Sequence, residues 1–210
     1  MFYEPRLGHG LPHDPFKAII APRPIGWIST VDAGGRPNLA PYSFFNAVHG
    51  RPPMLAFTSE TMKHSAGNAR ATGEFVFNLC SLPLLDAMNT SSGDLPAGVS
   101  EFEAAGLEAA PCRIVSAPRV AAAPASLECK VTLSMQLTDI EGVPLAGWII
   151  IGQVVGVHIA DEFIRDGRFD TASAQPVARC GYRDYAAVTE LFEALRPTDH
   201  GAYTPGQPDR

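Results

Sequence analysis

Two short stretches carry side chains suited to holding a ligand. Ser43-Phe44-Phe45-Asn46 sets a hydroxyl and an amide around two aromatic rings. That combination suits a flat ring with polar edges better than it suits a solvated strand face. Lys63-His64-Ser65 opens a stretch, 65–71, that reads as a helix closed by Gly73. Ser65 is a good N-cap residue. A helix start with free N–H groups, a hydroxyl and a lysine is a competent phosphate site. Arg23 stands between Pro22 and Pro24, which fix the backbone direction and aim the guanidinium. It could meet a carboxylate or phosphate, or form a surface ion pair where the strand begins.

Patterns for other chemistry are missing. No HExxH, CxxC, P-loop, GxGxxG or GxSxG motif occurs. His9 and His13 are four apart, but Gly10 and Pro12 oppose a helix there. His49, His64 and His158 lack metal-site spacing, so no metal is expected, and His158 reads as a structural histidine at a strand end. Cys80, Cys112, Cys129 and Cys180 read as small, mostly buried thiols. With no metal, elbow or carboxylate pair, a bound cofactor would carry any hard chemistry. Flavin mononucleotide (FMN) supplies both the ring and the phosphate. Pyridoxal phosphate does too, but none of Lys17, Lys63 and Lys130 stands out as its Schiff-base lysine.

The elements that position these residues read mostly as strands. Gly26–Val31 and roughly Leu39–Ala47 form a hairpin about Asp32-Ala33-Gly34-Gly35. Short strands follow at 54–58 and 75–79, then a short helix at 82–88. Ser100-Glu101-Phe102-Glu103 is a capping box ahead of another short helix. Residues 126–138 alternate strictly, Leu127, Cys129, Val131, Leu133, Met135 and Leu137 against polar neighbours. One face should be buried and one wet. Residues 148–159 form a nearly continuous apolar strand, expected to be buried on both sides. Gln175–Tyr185 reads as an irregular polar-aromatic patch, and Ala186–Leu195 as a C-terminal helix ended by Pro197. Asp14-Pro15 can start a short helical turn in an otherwise irregular N-terminus.

Size and charge bound the rest. A chain of 210 residues with 46% apolar content can build one core. Net charge is −6 and no basic run occurs, which opposes a nucleic-acid surface. The run Trp148–Ile151 is too short for a bilayer, which needs about 20 apolar residues. No signal peptide is indicated, so a cytoplasmic location is expected. The division expected is an arm at 1–20, one domain at 21–196 with a helical excursion at about 80–112, and a tail at 197–210.

Several segments, in order, match a known pattern: Arg23 to Thr30, Asn38 to Asn46, Pro52-Pro53, Lys63 to Asn68, Gly73 to Asn78, Glu101-Phe102 with Ala105 to Leu107, Leu127 to Cys129, and Val157 to Ile159. Through them the chain, over about residues 21–185, resembles the flavin reductase-like proteins with the FMN-binding split-barrel fold. The resemblance implies a mainly β protein, a six-stranded antiparallel Greek-key split barrel with peripheral helices. It implies a homodimer with FMN at the subunit interface, and NADH or NADPH as hydride donor. It also implies flavin contacts at Ser29, Thr30 and Ser43 through Asn46. The phosphate falls to Lys63, His64, Ser65 and Asn68, and Arg179 joins the cofactor site. A partner monooxygenase would fit such a reductase. This chain has Lys63-His64-Ser65 where the family usually has Lys-Asp-Thr. It has Arg179-Cys180-Gly181-Tyr182 where the family often has Arg-Leu-Gly-Gly, and Tyr182 would narrow the substrate side. Two rival readings are a flavin-binding electron-transfer module without nicotinamide turnover, and an oxidase like pyridoxamine-phosphate oxidase.

Overall fold

The structure is a computed structural model, and it describes residues 1–93, 95 and 99–194. In chain order the first elements are α1 (Phe16–Ile19), β1 (Arg23–Pro24), β2 (Gly26–Val31), β3 (Pro37–Tyr42), β4 (Phe45–Gly50), β5 (Pro53–Ser59), α2 (His64–Thr72) and β6 (Glu74–Leu79). Then come α3 (Leu85–Thr90), α4 (Glu101–Ala104), β7 (Ala109–Ala110), β8 (Arg119–Val120), β9 (Ala125–Thr138) and β10 (Pro144–Ile159). The last are β11 (Ile164–Arg165), β12 (Arg168–Phe169), α5 (Thr171–Ala174), β13 (Val177–Gly181) and β14 (Asp184–Ala187).

Seven strands make one antiparallel sheet in the order β3-β2-β6-β9-β10-β5-β4. The expected second hairpin strand, Leu39–Ala47, is in fact two strands. It ends at Tyr42, crosses through Ser43-Phe44, and restarts as β4 at the opposite edge of the sheet. This break adds one strand to the six the resemblance implies. β4 also comes close to β2: a Cβ on Gly26 of β2 would sit 2.4 Å from the Phe45 ring of β4. The antiparallel split-barrel fold is as expected.

β2 is the wall between two cores, because successive side chains on a strand face opposite ways. Ile28 points into the barrel with Leu55, Phe57, Phe75, Cys129 and Ile150, under Ala66 and Ala69 of α2. Trp27 points outward into a second cluster with Leu39, Met88, Phe102, Val120 and Val177. Its indole N–H donates to Ser91 Oγ at 2.9 Å. The hairpin turn is held as expected, with Asp32 Oδ1 accepting from the backbone N–H of Gly34 and Arg36.

Several expectations fail, each for a tertiary reason. On β9 the supposed wet residues Ser126 and Glu128 are 1% exposed, while Leu133 and Met135 of the supposed dry face are 43% and 49% exposed. The loop before β9 covers the first half, and the second half runs past β6 and pairs with β10 alone. β10 is not buried on both sides, since Val157 is 60% exposed. The patch at 175–185 is largely a hairpin, β13 with β14, joined to β1 and with a register shift between Arg179 and Gly181. The helix expected at Ala186–Leu195 is absent over its described part: β14 runs to Ala187, and residues 188–194 have no regular structure. Leu195 and the expected tail lie outside the described residues. The N-cap of α2 is Lys63, not Ser65. Ser100 caps α4 through the Phe102 N–H, and Glu101 accepts from the Leu39 N–H.

Candidate functional site

Ser43, from the first ligand-like stretch, lines a cavity on one side of the molecule. This cavity, of about 300 Å3, is lined by Lys17, Arg23, Ser43, Arg179, Tyr182 and Tyr185, with Ile25, Pro41 and Met88 among its walls. Three of these side chains are cations, and among the described residues no carboxylate lines the cavity. Arg23 is 7% exposed. Its guanidinium donates through Nη1 to the Lys17 and Ile20 carbonyls, so it holds the end of α1. Among the described residues Arg23 has neither an acidic partner nor a surface ion pair. Its Nε is buried without a hydrogen-bond partner among the described residues. Arg179 lies 4.5 Å over the Tyr185 ring and donates to the Tyr182 carbonyl. Tyr182 adopts φ +44° beside Gly181 at φ +108°. That turn carries its ring to the cavity lip, edge-on to His13.

Lys17 also reaches the segment that leads into α2. Its ammonium contacts Glu60, just upstream of α2, at 3.4 Å, and sits 5.3 Å from the Phe44 ring centre. Phe44 is fixed in turn by its carbonyl, which accepts from the Thr58 N–H at 2.8 Å. Lys63 and His64 are exposed. No side chain caps the helix at Lys63, so the first N–H groups of α2 have no partner from within the helix.

The remaining expected site residues are placed as follows. Phe45 stacks on Phe77 inside the barrel, ring centres 4.8 Å apart. Asn46 is exposed on β4, its Oδ1 accepting from the Ala47 N–H. Ser65 is buried, and its hydroxyl accepts from Asn38 Nδ2 at 2.8 Å. Asn68 donates to Thr30 Oγ1 at 3.2 Å, which ties α2 to β2. Ser29 faces outward and is closed in: it donates to the Pro118 carbonyl and accepts from Asn78. The expected residues therefore divide into an open group, Ser43, Phe44, Asn46, Lys63, His64 and Arg179, and a structural group, Ser29, Thr30, Phe45, Ser65 and Asn68.

Sequence reading missed Lys17, Met88 and Tyr185, which reach the cavity from distant segments. It also missed a cluster of Cys112, Glu128 and His158 whose ligand-type atoms lie within 4.8 Å of one another. The signal available was Gly156, where a Cβ would approach the Glu128 carboxyl carbon to 3.1 Å. The thiols themselves are as expected: all four cysteines are free. Burial pushes Cys80, Cys112 and Cys129 up to about 12, so they stay protonated and unreactive at neutral pH.

Residues 20–173 match the flavin reductase like domain. The chain belongs to the flavin reductase-like family. A Halalkalibacterium halodurans protein is 36% identical over 184 residues, covering 85% of this chain and 88% of that protein. The fold is also close to component B of a nitrilotriacetate monooxygenase from Bacillus cereus. The TM-score is 0.83 at 30% identity, covering 92% of this chain and 98% of that one. A 2-nitrobenzoate 2-nitroreductase from Pseudomonas fluorescens gives 0.78 at 25% identity, covering 90% and 92%. A flavin is the cofactor class that accompanies this family. Among the described residues, no helix is long and apolar enough to cross a membrane.

Proposed function

We propose that this flavin reductase-like chain binds FMN, works as a homodimer, and takes hydride from NADH or NADPH. The carrying observation is the uncapped start of α2, with Lys63 and His64 exposed beside it, joined through Glu60 and Lys17 to the Ser43 cavity. A phosphate fits there, because the first N–H groups of α2 need an acceptor. Lys63 adds a charge-assisted hydrogen bond. A ring fits against Ser43 and Phe44, and the buried unpartnered Arg23 Nε offers a donor on the same wall. A bound flavin supplies two-electron chemistry, accepting hydride from a nicotinamide.

The chain's own residues then do three things. The protein orients the ring by packing it, since Phe44 is pinned between Lys17 and the Thr58 N–H. Its Lys17, Arg23 and Arg179 stabilise negative charge that builds in the cavity, with Glu60 offsetting part of the Lys17 charge. It keeps α1 against the cavity through Arg23 and through Ala18, which packs on Gly181. No side chain is required as acid or base. The similarity to a monooxygenase component supports a partner oxygenase as consumer of the reduced flavin.

Tyr182 on the cavity lip favours a second reading, a flavin-binding electron carrier closed to nicotinamide. One experiment separates the two. An absorbance spectrum of purified protein with FMN, taken anaerobically before and after NADH and then NADPH, should show the flavin band bleach with one of them. A yellow protein inert to both supports the carrier. A colourless protein that binds no added FMN sinks both.

A further inference from the structure

A second cavity, of about 520 Å3, opens between the end of β10 and the loop preceding β9, lined by Arg113, Ile114, Arg119, Glu128, Val157 and His158. The one carboxylate lining it among the described residues is fully committed. Glu128 Oε1 accepts from the Arg113 N–H at 2.9 Å and from His158 Nε2 at 2.6 Å. Oε2 accepts from the Ile114 and Val115 N–H groups at 2.7 and 2.9 Å. An ionised carboxylate can only accept, so His158 presents Nε2–H to it. Cys112 lies near both, which places three ligand-type atoms together. A cation there would have to break Glu128's four hydrogen bonds and face two guanidiniums, so the site is a poor metal centre.

The guanidiniums point to the opposite chemistry. Among the described residues, neither Arg113 nor Arg119 reaches a carboxylate in an ion pair. Arg119 Nε is shielded from solvent and has no hydrogen-bond partner. A buried donor without an acceptor is costly unless a ligand supplies one. Arginine's planar fork matches carboxylate and phosphate oxygens. The remaining lining, Ile114, Val157, Ile159 and three alanines, is apolar. We propose that this cavity binds a small organic oxyanion, a carboxylate or phosphate carried on an apolar body, with Arg119 and Arg113 gripping the oxygens. The proposal stands apart from the flavin reading, since none of these residues lines the Ser43 cavity.

Calorimetric titration of the full-length protein tests it, using benzoate, benzyl alcohol and inorganic phosphate in separate runs. Benzoate should bind saturably and at least tenfold more tightly than benzyl alcohol. Arg119→Gln should weaken benzoate by about tenfold to a hundredfold, the worth of a charge-assisted contact. Arg113→Gln, an exposed position tolerant of change, should weaken it too, with FMN binding unaltered in both variants. Phosphate bound as tightly as benzoate removes the apolar body and overturns the proposal as stated. So does benzoate that fails to saturate, or that binds both variants like wild type. Zinc binding lost in Cys112→Ser would make the cluster a metal site instead. If a second copy of the chain fills the cavity, benzoate will not bind and Arg119→Gln will raise the monomer fraction in sedimentation, which also overturns it.

Discussion

A carboxylate 1% exposed within a sheet wall decides how this protein meets acid. Burial alone would raise the Glu128 carboxyl. The N–H of Arg113, the His158 ring and the N–H groups of Val115 and Ile114 outweigh it and hold the group at about 2, against an ordinary 4.5. A folded value below the unfolded one contributes stability that is complete above about 4.5 and fades as pH falls toward about 2. The contribution is roughly 3 kcal/mol. Urea melts across that window should show the loss. Glu128→Gln should flatten the acid limb while costing about 3 kcal/mol at neutral pH, because an amide cannot accept from all four donors. An unchanged acid limb would mean that other carboxylates govern it. Lys63 makes a different kind of contribution. Its side chain is exposed and has no partner among the described residues, so it should matter only with ligand present. Lys63→Ala should weaken FMN by about 1.5–3 kcal/mol while leaving riboflavin and the melting temperature nearly unchanged. Equal losses for FMN and riboflavin would move the phosphate elsewhere.

The elements join at a seam where β2 passes under β4, and Gly26 makes the crossing possible. Its missing side chain leaves room for Phe45, which stacks on Phe77 at an interplanar angle of 9°. Gly26→Ala should cost about 2 kcal/mol through overpacking. It should also weaken FMN, because Ser43-Phe44 leads directly into the displaced strand. Gly50→Ala, with open space at its Cβ, is the matched control and should be close to neutral. Thermal melts and FMN titration of the pair decide this, and equal effects would show that the seam is slack. The same seam marks where sequence reading stopped. Strand-forming residues beside turn signals located β2, β5 and β6, and period-two alternation located β9, since these patterns are local. They could not say what covers each face. Glu128 is buried because the 112–120 loop folds over it, and Leu133 is exposed because β6 pairs no further than Lys130. The 186–195 stretch has helix-forming residues, yet pairing of Val177 with Ala187 draws its start into a strand. At the site, Lys63 was legible from the helix-start pattern. Lys17 and Tyr185 were not, because chain closure alone brings them to Ser43.

At the scale of the whole molecule, the β9–β10 hairpin outruns the barrel that carries it. β10 meets β5 only from Trp148 onward, and β9 meets β6 only up to Lys130, so the far end pairs with itself. Leu133, Met135, Val143 and Leu145 on that end are 43–53% exposed, and Ile140 at the turn is fully exposed. A two-stranded ribbon with an uncovered apolar face is marginal in water. A second copy of the chain is the occupant that fits the proposed homodimer, since each copy brings the same projecting ribbon and each needs the same cover. The Ser43 cavity, about 300 Å3 within one chain, is at the small end for a cofactor site. A wall from the partner would complete it. Met135→Glu places a charge on the ribbon far in sequence from every flavin-site residue. It should shift the protein toward monomer in sedimentation and lower FMN affinity together, and both effects should lessen as protein concentration rises, because mass action favours the dimer. Dissociation with full FMN affinity would show that one chain holds the flavin alone. An unchanged dimer would place the interface elsewhere and leave the ribbon's apolar face to another partner.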